Sequence, residues 1–223
     1  MSKFDVEYRA RFEKLSSTNV SDALDALGLK GATRGIRPMR ERWRKIVGPA
    51  VTMRMTAAGE TPQKTHLGMN AIAAAEAGDV IVIDNGGRMD TSCWGGILAN
   101  SAKVKGISGT VIDGCCRDLD DCDDADYTVF ARGTVVCTAR GRVIEESTNQ
   151  MIQFGGVQVS PGDIVIGDSS GVVIVPKGHL EAVLEKAEEL WKKEEDMVAE
   201  IRTGADILRV DAHYGYNKML QKG

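Results

Sequence analysis

Aromatic residues make up only 5 % of this 223-residue chain, histidine occurs three times, and 28 Lys plus Arg against 32 Asp plus Glu leave a net charge of −4. Without an excess of cations there is no footing for sequence-independent nucleic-acid binding, in which basic side chains displace counterions from phosphates. DNA is therefore not expected as a partner. RNA has only the run Arg34, Arg37, Arg40, Arg42, Arg44 and Lys45, which reads more simply as a solvated loop and strand face. No apolar run approaches the roughly 18–20 residues of a membrane span, and Met-Ser-Lys-Phe-Asp at the N-terminus lacks the apolar segment of a signal peptide, so no membrane contact and a cytoplasmic location are expected.

Other absences narrow the chemistry. None of the 25 glycines stands two positions from another and no Gly-Lys pair occurs, which excludes a GxGxxG dinucleotide fingerprint and a Walker-type phosphate loop. Three scattered histidines give no signal for a hydrolytic triad. Five cysteines, Cys93, Cys115, Cys116, Cys122 and Cys137, are an odd number in a chain large enough to bury its own core, so reduced structural thiols are expected. Their spacing is not CxxC and His66, His179 and His213 lie far off, which argues against zinc.

What is present is a chain 43 % hydrophobic, with glycine spread through the middle as punctuation between short Val- and Ile-rich runs. Strands are expected at Val47–Met55, Val80–Asp84, Thr110–Asp113, Thr128–Ala131, Val157–Val159, Ile164–Ile166 and Val172–Val175, the last three as an antiparallel meander. Helical patterns at Val20–Leu27, His66–Ala77, Trp94–Lys105 and Leu119–Ala125 alternate with them, which argues for strands and helices in layers. From His179 to Arg202 apolar residues recur at three and four, with Glu188–Lys192 and Glu189–Lys193 as pairs on the wet face. Glu194 interrupts this stripe. It needs a cation, a metal or a hydrogen-bond donor, or else it lies near a solvated helix end.

Two stretches carry candidate chemistry. After Asp79-Val-Ile-Val-Ile-Asp84-Asn-Gly-Gly87 comes Trp94-Gly95-Gly96-Ile97-Leu98, a strand and glycine-rich loop feeding a helix whose first amides suit a carboxylate or phosphate. The glycines also fit a purely geometric role in the turn. Gly109-Thr-Val-Ile-Asp113-Gly-Cys-Cys-Arg117-Asp118 ends a buried strand on an adjacent guanidinium and carboxylate. Arg117 can bind a carboxylate or an enolate oxygen, and Asp118 offers a hard oxygen to Mg²⁺ or Mn²⁺. An ordinary surface ion pair, with Asp118 capping the next helix, accounts for the same residues.

These two segments, with Val129-Phe-Ala-Arg-Gly133 and Gly155-Gly-Val-Gln-Val through Val172-Val-Ile-Val-Pro176, resemble the RraA-like family over about Val20–Arg202. That family includes the 4-hydroxy-4-methyl-2-oxoglutarate and 4-carboxy-4-hydroxy-2-oxoadipate aldolases. The resemblance implies a three-layer β/β/α swivelling-domain fold over residues 18–178, after a lead-in of residues 1–17 and before a C-terminal helix and tail, 179–223. It further implies homotrimers or homohexamers with a divalent metal, Mg²⁺ or Mn²⁺, at interfacial sites.

On that footing Arg117 and Asp118 are the catalytic pair, Gly95, Gly96, Ile97 and Leu98 receive the substrate carboxylate with Arg117, and Asp118 holds the metal with Glu194 of a neighbour. Glu195 and Glu188 are the fallbacks for Glu194. The implied activity is cleavage of a 2-oxo acid through a pyruvate enolate, by retro-aldol reaction or oxaloacetate decarboxylation. The alternative within the family is a regulator that binds a ribonuclease. One departure bears on the choice: enzymatic members carry an acidic residue 21 positions before the arginine, where this chain has Gly96. Arg88 or Asp90 are the candidates to replace it.

Overall fold

A computed structural model describes residues 4–62 and 65–215. Two helices open the chain, α1 (Val6–Lys14) and α2 (Ser17–Ala26), followed by a short edge strand β1 (Arg37–Pro38) and the long β2 (Ile46–Ala57). Three strand–helix units come next: α3 (Met69–Ala74) and β3 (Val80–Ser92), α4 (Gly96–Val104) and β4 (Gly109–Cys116), α5 (Leu119–Asp124) and β5 (Val129–Ala131). Then follow β6 (Gly133–Thr134), β7 (Val143–Thr148), the hairpin β8 (Ile152–Phe154) and β9 (Val157–Val159), and the hairpin β10 (Ile164–Asp168) and β11 (Gly171–Val175). A 3₁₀ turn leads into α6 (Leu180–Arg202), and α7 (Ile207–Tyr214) ends the described chain.

The main sheet runs β1-β5-β4-β3-β2-β10-β11, with β6 beside the end of β4 and β7 beside the end of β2. Strands β2 to β5 are parallel, and β10–β11 is an antiparallel hairpin added to β2. Because β1 also lies against β11, the sheet curls until it is nearly closed. Alternation along the strands then separates two faces. Val80 and Val82 point inward with Val165, Val172 and Ile174, and the β8–β9 hairpin closes that interior. Ile81 and Ile83 point outward beneath α3, α4 and α5, while α1, α2 and α6 cover β10 and β11. Hairpin, curled sheet and outer helices make the expected three-layer β/β/α arrangement.

Several expectations need correction. Strand β9 pairs with β8 and not with β10, so the end of the chain is two hairpins and not one meander. Within the N-terminal lead-in, α1 packs Phe12 into the core beside α6. Glu188 does not pair with Lys192 but takes Arg11 in a two-pronged bond at 2.8 and 2.7 Å, and Glu189 pairs with Lys186. The apolar stripe of α6 is buried through Met197, whereas Val198 and Ile201 stay exposed. At the end of the described chain, Tyr214 of α7 donates to Glu200 of α6 at 2.9 Å.

Gly167-Asp168-Ser169-Ser170-Gly171 carries the GxSxG spacing of a hydrolase elbow, but it joins two antiparallel strands instead of a strand and a helix. Its Asp168 is spent on the start of α2, accepting from the amide and hydroxyl of Ser17. Among the described residues no helix is long and apolar enough to cross a membrane.

Candidate active site

Strand β4 is buried along its whole length and ends at Cys116, so the next two residues emerge together at the sheet's edge. The Arg117 amide donates to the Trp94 carbonyl at 3.0 Å, which ties this exit to the loop before α4. Asp118 follows in the left-handed region at φ 55°, a conformation aspartate tolerates better than most residues. It occupies the N-cap position of α5, yet its side chain makes no capping bond there. The carboxylate instead faces α4: Oδ2 lies 3.3 Å from Arg117 Nε and accepts from the Gly96 amide at 3.4 Å. Oδ1 makes no hydrogen bond among the described residues. The capping account of Asp118 is thus excluded, and the two side chains are 37 % and 39 % exposed.

Both glycines of the loop are needed for close approach. A Cβ on Gly95 would stand 2.6 Å from Asp118 Oδ2, and one on Gly96 would stand 2.5 Å from Asp121 Cβ. Helix α4 begins without a side-chain cap, and the Ile97 and Leu98 amides have no acceptor among the described residues. The sequence-based cradle at Gly95–Leu98 and the Arg117–Asp118 pair therefore meet in one place.

They meet at a cavity of about 50 Å³, whose apolar wall includes Leu67, Trp94 and Leu98. His66 and Arg140 line it as well. Neither was expected from sequence, because each comes from a loop remote in the chain and neither sits in a motif. Arg117 and Asp118 also line an open depression of about 530 Å³ outside the cavity, with Arg40, Val135 and Val136. A larger hollow of about 890 Å³ lies between residues 38–43 and α5, but its Arg40 is already held by Asp120 and Asp123 at 2.9 and 2.6 Å. Arg117 and Asp118 line the small cavity and the depression beside it, but not this hollow.

Other expected residues stand elsewhere. Glu194 is on α6, over a different sector of the sheet, and accepts from Asn19 Nδ2 at 2.6 Å. Glu188 is committed to Arg11, and Glu195 is exposed. Arg88 and Asp90 line neither the cavity nor the depression beside it. Among the described residues, no three His, Cys, Asp or Glu side chains converge as a metal-binding group. The cysteines are free, and burial pushes the Cys116 and Cys122 thiols up to about 12, which keeps them protonated and unreactive.

Fold and site together define a mixed α/β protein with a cleft at the carboxyl end of a parallel strand, where Arg117, Asp118 and the start of α4 meet. The chain belongs to the RraA-like family: the family model described as Aldolase/RraA matches residues 17–174. A relative in Halalkalibacterium halodurans, named "Putative 4-hydroxy-4-methyl-2-oxoglutarate aldolase", is 34 % identical over 96 % of each chain. Protein DlpA of Legionella pneumophila is 32 % identical over 91 % of this chain, which spans only 33 % of DlpA. Among solved structures, an uncharacterized Pseudomonas syringae protein superposes with a TM-score of 0.83 at 29 % identity, covering 94 % of this chain and 99 % of that one. Streptomyces coelicolor RraAS2, described as an unusual member of the RNase ES inhibitor RraA family, gives 0.78 at 26 % identity, covering 88 % and 99 %.

Proposed function

We propose that this chain is a lyase that breaks the C3–C4 bond of a 2-oxo acid and releases pyruvate, by retro-aldol cleavage of a 4-hydroxy-2-oxo acid or by decarboxylation of oxaloacetate. The observation that carries this reading is the convergence of Arg117, Asp118 and the open Ile97 and Leu98 amides on one small cavity. The aldolase names of its relatives support the same class.

In this reading the amides at the start of α4 take the substrate's C1 carboxylate. Arg117 sets its guanidinium against the C2 oxygen. When the C3–C4 bond breaks, its electrons pass through C2 onto that oxygen; C4 leaves as the carbonyl product once the 4-hydroxyl has lost its proton, or as CO₂. Protonation at C3 then gives pyruvate. The guanidinium interacts more strongly as charge gathers on the oxygen, which is the condition for acceleration.

Asp118 fits a hard divalent cation because Oδ1 is free of hydrogen bonds and the side chain is partly exposed, and Mg²⁺ commonly keeps several waters beside one or two carboxylates. When bound, such an ion would supply further positive charge beside the same oxygen. One chain offers an incomplete set, so Glu194 would serve only from a second copy, in a cytoplasmic homotrimer or homohexamer.

The test is direct. Purified protein is incubated with oxaloacetate and with a 4-hydroxy-2-oxo dicarboxylate, with and without Mg²⁺, and pyruvate release is followed. Turnover above the free-metal background is expected; its absence with both substrates would favour a regulatory protein of the ribonuclease-inhibitor type. Gly96, where the enzymes' acidic residue is missing, is the feature that favours this second reading.

A further inference from the structure

We infer that Glu145 of β7 is a positioning residue for the cavity: it holds the turn that forms one wall, and through that wall it sets how tightly the site takes its ligand. The inference rests on the reading that Arg117 and the α4 amides take a 2-oxo acid. The turn is His66-Leu67-Gly68, at the start of α3, and both His66 and Leu67 line the cavity. Helix α3 has no side-chain cap of its own and no acid in its first turn. Glu145 supplies both from another element. Its Oε2 accepts from the Gly68 amide at 2.9 Å, and its Oε1 accepts from Asn70 Nδ2 at 3.0 Å and from the Thr148 hydroxyl.

Among the described residues no other hydrogen bond joins residues 65–70 to another element. Gly68 is fastened where its place matters. At φ 80° a Cβ on it would stand 3.0 Å from Leu98 Cδ1 and 3.5 Å from Trp94 Cζ3, so its backbone lies on the two side chains that complete the apolar wall. With the Gly68 amide unpaired, the turn parts from Leu98 and Trp94 and admits water beside Arg117, which weakens the attraction for an anion. Apparent affinity then falls in proportion to the fraction of molecules whose wall is formed.

The experiment titrates oxalate, a planar mimic of the pyruvate enolate, into the protein by calorimetry in the presence of Mg²⁺, and follows hydrogen exchange by mass spectrometry in the same variants. Glu145→Ala is expected to speed exchange in peptides covering residues 65–74 and to leave β10 and β11 as protected as in the wild type. Oxalate should bind about 10-fold more weakly, the lower end for loss of a hydrogen bond to a charged group. Glu145→Gln keeps an oxygen for the Gly68 amide, while Asn70 and Thr148 can turn an acceptor toward the new NH₂ group, so both properties should return most of the way. If Glu145→Ala does not fold, Asn70→Ala, which removes one of the three donors, should give the same pattern at smaller size. Oxalate affinity in the variant equal to that of the wild type, or unchanged exchange at residues 65–74, overturns the inference and leaves the 2-oxo acid reading in place. Failure of the wild type to bind oxalate overturns that reading and this inference with it.

Discussion

The side chain of Asp121 fills the space that any side chain at residue 96 would need: a Cβ on Gly96 would stand 2.5 Å from Asp121 Cβ and 2.8 Å from its Cγ. Residues 96 and 121 therefore cannot both carry acids in this backbone. Gly96→Asp should push α5 away from α4, destabilising the fold by roughly 1–3 kcal/mol as overpacking does, and displacing Asp118 with it. The double variant Gly96→Asp with Asp121→Gly removes the colliding Cβ and should recover part of the lost thermal stability, less the roughly 1 kcal/mol that a glycine costs within α5. Equal melting temperatures for the single variant and the wild type would show that α5 yields without strain.

Removal of the Arg117 guanidinium tests the proposed chemistry. Arg117→Ala is expected to lower the rate of pyruvate release about 10²–10³-fold, the loss seen when an oxyanion donor is deleted. Because the residue is partly exposed and its backbone amide holds the Trp94 carbonyl regardless of side chain, circular dichroism and melting should change little. Asp118→Asn keeps an acceptor for the Gly96 amide but removes the charge, so the Mg²⁺ response should weaken. Activity that is the same in excess chelator would remove the metal from the scheme.

A second charge pair gives a prediction for stability against pH. The Arg11 guanidinium bonds Glu188 through two nitrogens and holds its carboxyl below the ordinary glutamate value of 4.5. A depressed pKa in the folded state means stabilisation that is present above the unfolded value and lost as pH falls through the folded one. Glu188→Gln should therefore be less stable than the wild type at pH 7, by less than about 1 kcal/mol for a pair this exposed. The gap should close as the pH falls below 4.5. Urea midpoints at the two pH values check the sign; a gap that persists in acid would point to packing instead of charge.

The parallel centre of the sheet was legible because β3 and β4 are covered on both faces, which leaves uninterrupted Val and Ile runs. Strand β7 was not, since Val143 is the one residue of its Val-Ile-Glu-Glu-Ser-Thr that is buried. The extension of β3 to Ser92 passes through glycines and two register shifts that break any alternation. At the site, the Arg117–Asp118 pair and the amides after Gly95 could be found because a strand end and a helix start are local features. Arg140 and the Gly96–Asp121 packing depend on loops and helices brought together only by the tertiary fold. Glu194 shows the same limit from the other side: its place in the apolar stripe signalled a partner, but not that Asn19 of the same chain is one.

That bond leaves Glu194 with two possible roles, separable by one substitution. Glu194→Gln retains an oxygen to accept from Asn19 Nδ2 while discarding the negative charge. If the residue only fastens α6 to α2, both stability and the Mg²⁺ requirement should stay where they are. If it also reaches a neighbouring copy's Asp118, the melting temperature should hold while the Mg²⁺ concentration for half-maximal pyruvate release rises about 10- to 100-fold, the range for lost groups that support a metal site. We expect the second pattern, because an amide at residue 194 would serve Asn19 as well as a carboxylate does, so the hydrogen bond alone gives no reason for a charge in the apolar stripe.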